Sequence, residues 1–220
     1  MFTQTFTELG YHSKNRQIYL KKGVQKLKKY IFPGKILDVG CGQCRFIFAH
    51  HKIPNTFFTA IDINLQYLDF CLKKAKRLKV KNARFLKMDA QAPNFPPSSF
   101  DQILAIGVIE HLKKPLRALK NWTKLLKKGG ILILSTPNKN LKFFQRFLGK
   151  NPYHVREFGY FELKKILQKD YQVIATEKSF LASVEIPFFQ LISFLWERFF
   201  PPFLSPESIF ICKKKKPSNF

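Results

Sequence analysis

Between Ile36 and Cys44 the chain reads ILDVGCGQC, in which three apolar residues and an acid run into Gly40 and Gly42 with no spacer. Two glycines so placed leave room only for a sharp strand-to-helix turn. In an α/β protein, such a turn at the carboxyl end of the first strand is where a nucleotide-like cofactor lies. The rest of the chain is therefore read as lead-in to this turn or as the remainder of its sheet.

From Lys35 onward, apolar strands alternate with amphipathic helices. Ile36–Val39, Phe58–Ile63, Ala83–Met88, Phe100–Ile106 and Ile131–Ser135 read as strands, and Tyr171–Thr176 and Ser208–Cys212 add two more. Helices are expected at Cys44–His51; over Leu65, Leu68, Leu72, Ala75 and Leu78; from Pro115 through Leu116, Leu119, Trp122 and Leu125 to Gly129-Gly130; at Leu141–Lys150; and at Glu162–Lys169. Strands apolar throughout and separated by such helices imply a parallel sheet covered on both faces, a doubly wound α/β domain. Before it, Thr7–Tyr30 reads as one or two helices ended by Pro33-Gly34, and such a segment can cover a cofactor site from outside, with Tyr11 and Arg16 as candidate contacts.

The length of 220 residues suits one domain spanning 1–212. Within it we distinguish a helical cover (1–34), a cofactor core (35–138) and a substrate-side region (139–212); a basic tail (213–220) is expected to fray. The substrate-side region contains Ile186–Leu204, IPFFQLISFLWERFFPPFL, the most apolar stretch of the chain. Bracketed by prolines, it holds a helix of about thirteen residues, too short for a bilayer that needs about 20. Its wide Phe/Leu/Trp face suits core packing, a lid, a subunit contact or peripheral contact with a membrane surface.

The net charge of +25, from 39 Lys and Arg against 14 Asp and Glu, invites a nucleic-acid or anionic-membrane partner. Against this, Lys is spread along nearly every helical segment, as a solvated face would be, and oligomeric state is not legible. Four cysteines in a chain of this size make no disulfide framework, and Met1–Gly10 has no basic start followed by an apolar run, so a cytoplasmic setting is expected. Cys41 and Cys44 have CxxC spacing, but they straddle the glycine turn and no second CxxC exists, so a zinc or redox role is disfavoured.

Asp62 ends the second strand, where an acid can accept hydrogen bonds from both ribose hydroxyls of an adenosine held on the turn. Asp89 ends the third strand and can reach the exocyclic amine of adenine. Either alone would read as a turn former; in register after a glycine turn, they read jointly. The turn lacks both G-x-G-x-x-G and GK[ST], so nothing in it is built for a pyrophosphate. An adenosine carrying a zwitterionic amino-acid tail fits better.

DVGCG at Asp38–Gly42, the acid in AIDIN at Asp62, MDA at Met88–Ala90, VIEHL at Val108–Leu112 and GGILILSTPN at Gly129–Asn138 resemble the successive motifs of class I S-adenosylmethionine-dependent methyltransferases, of the ubiquinone-biosynthesis-like branch. HVREF at His154–Phe158 resembles a downstream segment of members acting on small molecules, sugars or lipid-linked substrates. The resemblance implies a Rossmann-like seven-stranded, mostly parallel sheet with one antiparallel strand near the C-terminal edge, and S-adenosyl-L-methionine as cofactor. By it, Gly40, Cys41 and Gly42 pass the methionine part, Asp38 helps hold its amino group, and Asp62 and Ile63 take the ribose. Asp89 and Ala90 meet the adenine, and Gly107 and Val108 floor the site. Cys44 stands where a third small residue is frequent.

Methyl transfer needs alignment and, for a hydroxyl acceptor, loss of a proton. His111, His154 and Glu110 are the candidate catalytic groups, with Arg156 as a grip for a carboxylate or phosphate. The expected reaction is O-methylation of a small or lipid-like acceptor. An RNA methyltransferase, and a cofactor-binding accessory protein without turnover, are the alternatives. Some RNA 2′-O-methyltransferases hold a divalent metal with two Glu and two His; this chain has Gly107 where their first Glu stands, so no metal is expected.

Overall fold

The computed structural model describes residues 23–141, 153–179, 199, 201–205 and 207–216. Seven strands form one sheet: β1 (Gly34–Val39), β2 (Thr56–Asp62), β3 (Ala83–Lys87), β4 (Phe100–Ile106), β5 (Leu126–Pro137), β6 (Tyr171–Ser179) and β7 (Glu207–Lys214). Their order is β3-β2-β1-β4-β5-β7-β6. β1 to β5 pair in parallel, and β7 runs antiparallel to both its neighbours. The expected mostly parallel sheet with one antiparallel strand near its C-terminal edge is the observed one.

Alternation sorts the strand residues onto two cores. Leu132, Leu134, Phe210 and Cys212 face one side with Trp122, Leu163 and Leu167. Ile131, Ile133, Ile209 and Ile211 face the other with Phe46, Ile47 and Cys71. The helices α1 (Arg45–His50) and α2 (Leu65–Arg77) cover the second side, and α3 (Pro115–Leu125) and α4 (Tyr160–Leu167) the first. Such double covering makes the strands apolar throughout.

Helix details depart from the sequence pattern in two places. The buried stripe of α2 is Leu68, Cys71 and Ala75, while Leu65, Leu72 and Leu78 stay exposed. α3 ends at Leu125, four residues before Gly129, because Leu126 already pairs with Phe100. The register then jumps to Gln102 with Ile131, and the extra residues are taken up around Gly129 at φ 72°. Ladder pairing wins over helical propensity there. Gly130 has no alternative: a Cβ would lie 2.9 Å from the Asp101 carbonyl.

β7 continues through Lys213 and Lys214, which pair with β5 and β6, and Lys215 N–H donates to the Asp170 carbonyl (3.0 Å), so the lysine run is tied to the fold through Lys215. Residues 23–30 form a helical turn and a 3₁₀ turn, held by Gln102 Nε2–H donating to the Tyr30 carbonyl (2.8 Å) and by Lys29 against Glu177 of β6 (2.6 Å). Tyr11, Arg16, the expected helix beyond Leu141, and most of Ile186–Leu204 lie outside the described residues. Among the described residues, no helix is long and apolar enough to cross a membrane.

Candidate functional site

The strand order reverses between β1 and β4, and a crevice at the carboxyl ends of strands belongs at such a point. Asp38 pairs with Ala60 on one side and Leu104 on the other, so the turns after β1, β2 and β4 open side by side.

After β1 the chain turns through left-handed backbone at Gly40 (φ 62°), Gly42 (φ 50°) and Cys44 (φ 52°). At Gly40 a Cβ would sit 2.8 Å from a methyl of Val108, so a side chain there is excluded by space as well as by φ. Gly42 differs: its missing Cβ faces open space. Its N–H donates to Asp62 Oδ2 (2.9 Å), and Asn64 N–H donates to Asp62 Oδ1 (2.8 Å). Asp62, 9% exposed, thus ties the end of β2 to the glycine turn. Cys41 N–H donates to the Ile61 carbonyl (3.0 Å) as a second tie. Cys44 is fully buried in the apolar core, and none of the four cysteines is in a disulfide.

Asp38 is buried beside this turn, and its carboxyl has no hydrogen-bond partner among the described residues. Burial, with Cys71 and Asp62 adding negative charge nearby, pushes it up to about 8. A cation brought beside it would favour its ionised form. Open space over Gly42, an acid awaiting a cation, and a carboxylate at the next strand end are what an adenosyl amino acid requires. The residues present fit S-adenosylmethionine.

The rim is built from the following strands. Ile63 leaves the end of β2 with 68% of its surface exposed. Asp89 is exposed after β3 and caps its own turn, Oδ1 accepting from Gln91 N–H (2.8 Å). Ala90 is buried, its carbonyl accepting from the Trp122 indole N–H (2.8 Å), which pins this loop to α3.

After β4 a second turn begins at Gly107 (φ 64°), whose N–H donates to Ser135. Val108 packs under it, and Ile109–His111 form a 3₁₀ turn. Glu110 is 2% exposed, and burial pushes its carboxyl up to about 8. Thr136 Oγ1–H donates to its Oε2 (3.1 Å). The Glu110 carbonyl accepts N–H from both Val155 (2.8 Å) and Arg156 (3.0 Å), which draws the 153–158 stretch against the β4 turn.

Those two bonds bring His154 to His111, ring centroids 4.9 Å apart and edge to face. His111 Nδ1 bonds the Tyr153 carbonyl (3.0 Å), and because a carbonyl only accepts, Nδ1 carries the proton. His154 Nδ1 bonds Glu157 Oε1 (2.7 Å) in the same sense. In each ring the nitrogen not engaged in these bonds is Nε2. Burial lowers the His111 pKa, and the neighbouring His154 lowers it further. One ligand-type atom from each of Glu110, His111 and His154 lies within 4.8 Å of the others.

Arg156 is not brought to this cluster. Its guanidinium bonds Glu162 Oε1 (3.0 Å) and lies over the Phe158 ring. Residues that the sequence reading passed over are Thr136, Glu157 and the Tyr153 carbonyl, which position Glu110 and the two histidines. STPN at the end of β5 was the available signal for Thr136; nothing local marked the other two. Asn138 is a further anchor, its side-chain amide donating to the carbonyls of Phe203 (2.9 Å) and Ser205 (3.2 Å). This fastens the carboxyl end of the apolar stretch beside β5, where Phe203 meets Phe161.

Residues 34–178 match the family described as "Methyltransferase domain". The chain is similar to a malonyl-[acyl-carrier protein] O-methyltransferase of a Paenibacillus species, 30% identical over 118 residues, covering 51% of this chain and 43% of that protein. It is likewise similar to a ubiquinone biosynthesis O-methyltransferase of Coxiella burnetii, 30% identical over 109 residues, or 50% and 46% of the two chains. The chain thus spans less than half the length of these relatives. Among solved structures, a SAM-dependent methyltransferase from Aquifex aeolicus superposes with a TM-score of 0.67 at 16% identity, covering 97% of this chain and all of that one.

Proposed function

Because the chain belongs to the class I S-adenosylmethionine-dependent methyltransferases, we propose that it transfers the methyl group to an oxygen of a small or lipid-like acceptor held at Glu110, His111 and His154. When bound, S-adenosylmethionine supplies a methyl group already activated by a sulfonium, leaving as a neutral thioether. The chain's residues then have to hold donor and acceptor in line and handle one proton.

In this reading Gly40, Cys41 and Gly42 line the amino-acid tail, and Asp38 meets its ammonium group. Asp62 and Ile63 hold the ribose, Asp89 and Ala90 the adenine, and Gly107 and Val108 form the floor. The observation that carries the acceptor assignment is the pair of imidazoles, each with Nδ1–H tied down and Nε2 left to face an incoming hydroxyl. The hydroxyl binds at that edge and its proton leaves there as oxygen attacks. An apolar wall from Tyr160, Phe161 and Phe203 suits a lipid-like or aromatic acceptor. The two O-methyltransferase relatives support oxygen as the acceptor atom.

The test is incubation of the full chain with methyl-labelled cofactor and three acceptor pools: small hydroxylated aromatics, polar lipids and RNA. Label in ether products stable to mild base from either of the first two supports the proposal. Label recovered only in RNA, or no transfer at all, contradicts it.

A further inference from the structure

We propose that Cys41 and Cys71 are an oxidation site, at which hydrogen peroxide joins the two in a reversible disulfide that distorts the glycine turn and weakens its hold on S-adenosylmethionine. The effect on the cofactor rests on the reading that this turn holds it; the oxidation itself does not.

By spacing alone Cys41 and Cys44 are a poor redox pair, and the structure adds a third thiol. Cys71 on α2 reaches into the turn, where its S–H donates to the Gly42 carbonyl (3.3 Å). The Cys41 S–H donates to the same oxygen (3.8 Å). Two sulfurs converging on one atom lie side by side, and these are within hydrogen-bonding reach of each other. Cys44 contributes backbone to the turn instead, its N–H donating to the Cys41 carbonyl (2.8 Å), while its side chain packs in the apolar core. Cys212 is buried on β7 in the core of the other sheet face.

Access and acidity divide the work between the two thiols. Cys41 is partly exposed, whereas Cys71 is buried. Hydrogen bonds from Cys41 and Cys44 bring the Cys71 thiol down to about 5, and Lys74 favours the same charge, so Cys71 holds the thiolate. Cys41 meets the peroxide. Its sulfur attacks one peroxide oxygen, its S–H proton passes to Cys71, and the O–O bond breaks to leave a sulfenic acid and hydroxide. The hydroxide takes the proton back from Cys71 as water. The Cys71 sulfur then attacks the Cys41 sulfur, forming the S–S bond and expelling the sulfenic oxygen as hydroxide. The two sulfurs give up two electrons and the peroxide gains them.

A disulfide has no S–H, so both hydrogen bonds to the Gly42 carbonyl are lost. The sulfurs must also close to about 2.05 Å, which draws Cys41 toward α2. Gly42 is the residue whose N–H holds Asp62 (2.9 Å) and whose missing Cβ leaves open space. Oxidation therefore acts on the tie that fixes the turn against β2.

The experiment treats the full chain with hydrogen peroxide, maps its peptides without reduction, and titrates S-adenosylhomocysteine by calorimetry before and after. We expect a Cys41–Cys71 crosslink and an affinity lower by about tenfold or more, the order expected for losing the two bonds to Gly42. Dithiothreitol should reverse both. In Cys71→Ala the reversible loss should disappear, and in Cys212→Ala it should persist; the wild-type peptide map needs no variant to fold. A Cys41–Cys44 crosslink, sulfinic acid without a crosslink, no reaction with peroxide, or a Cys41–Cys71 crosslink with unchanged affinity would overturn the proposal. A Cys41–Cys71 crosslink in a chain that binds no cofactor even when reduced would uphold the oxidation site and sink the methyltransfer reading.

Discussion

The glycine turn and the histidine cluster sit at the same edge of the sheet but are built differently. The first joins residues only 20 positions apart, Gly42 and Asp62, through backbone conformation that few sequences can adopt. The second joins His111 to the Tyr153 carbonyl, 42 positions away, by way of a loop held by hydrogen bonds to the Glu110 carbonyl. In the proposed assignment, donor binding is written into a short motif of constrained backbone, while acceptor handling depends on docking a distant segment. Variation in the second region can change the acceptor without disturbing the first.

The comparison breaks most visibly at the second region. His154→Ala should lower methyl transfer by about 10²- to 10⁴-fold, the range for losing a group that handles a proton, with cofactor affinity unchanged. Steady-state rates beside a cofactor titration would check it, and equal losses in both would merge the two regions into one. Next comes the turn itself. Gly40→Ala imposes a left-handed residue costing about 1–2 kcal/mol and a contact 2.8 Å from Val108, so cofactor affinity should fall at least about tenfold and thermal stability should drop, measurable by calorimetry.

Protonation sharpens the same contrast. Asp38, raised to about 8 by burial, is protonated in the free protein at neutral pH and must ionise to meet an ammonium group. Cofactor affinity should therefore rise about tenfold per pH unit below about 8 and then level, with one proton released on binding. In the free protein the sign is opposite: the folded state keeps a proton that the unfolded chain gives up, so stability falls as pH climbs from the usual carboxylate range toward 8. Asp38→Asn should abolish the affinity slope and reduce the stability slope, the rest of which comes from Glu110, also pushed up to about 8 by burial; titration across pH in two buffers would reveal both.

The smallest expected effect lies at the edge of the acceptor region. Glu162 is held down to about 2, chiefly by its hydrogen bond from Lys139, and also accepts from Gly159 N–H and Arg156. Glu162→Gln should cost about 1 kcal/mol in denaturant unfolding above pH 5, and the difference should vanish as acid protonates the wild-type carboxyl from the ordinary range down toward 2.

What could be read from the sequence follows the same division. The strands and the turn at Gly40–Gly42 were legible because their signals are local: apolar runs, glycines, and acids at strand ends. The end of α3 was not, because Gly129-Gly130 looks like a helix stop, and only pairing with Phe100 reveals that Leu126 is already strand. The buried face of α2 was misread by following leucines instead of Cys71, a small residue that fits against the sheet. The acceptor cluster was legible as residue types, Glu110, His111 and His154. Its assembly was not, since the ties run through the Glu110 and Tyr153 carbonyls, which any residue would supply. Arg156 reads from the sequence as a substrate grip, and its pairing with Glu162 carried no local signal.

The measurement closest to the centre of this account is a calorimetric titration of S-adenosylmethionine into the wild-type chain and Asp62→Ala. Asp62 carries the tie from β2 to the glycine turn and two charged hydrogen bonds of about 1.5–3 kcal/mol each. One cofactor should bind per wild-type chain, with a loss of about 100-fold or more in the variant. An unchanged affinity in Asp62→Ala, or no binding to the wild type, would contradict it.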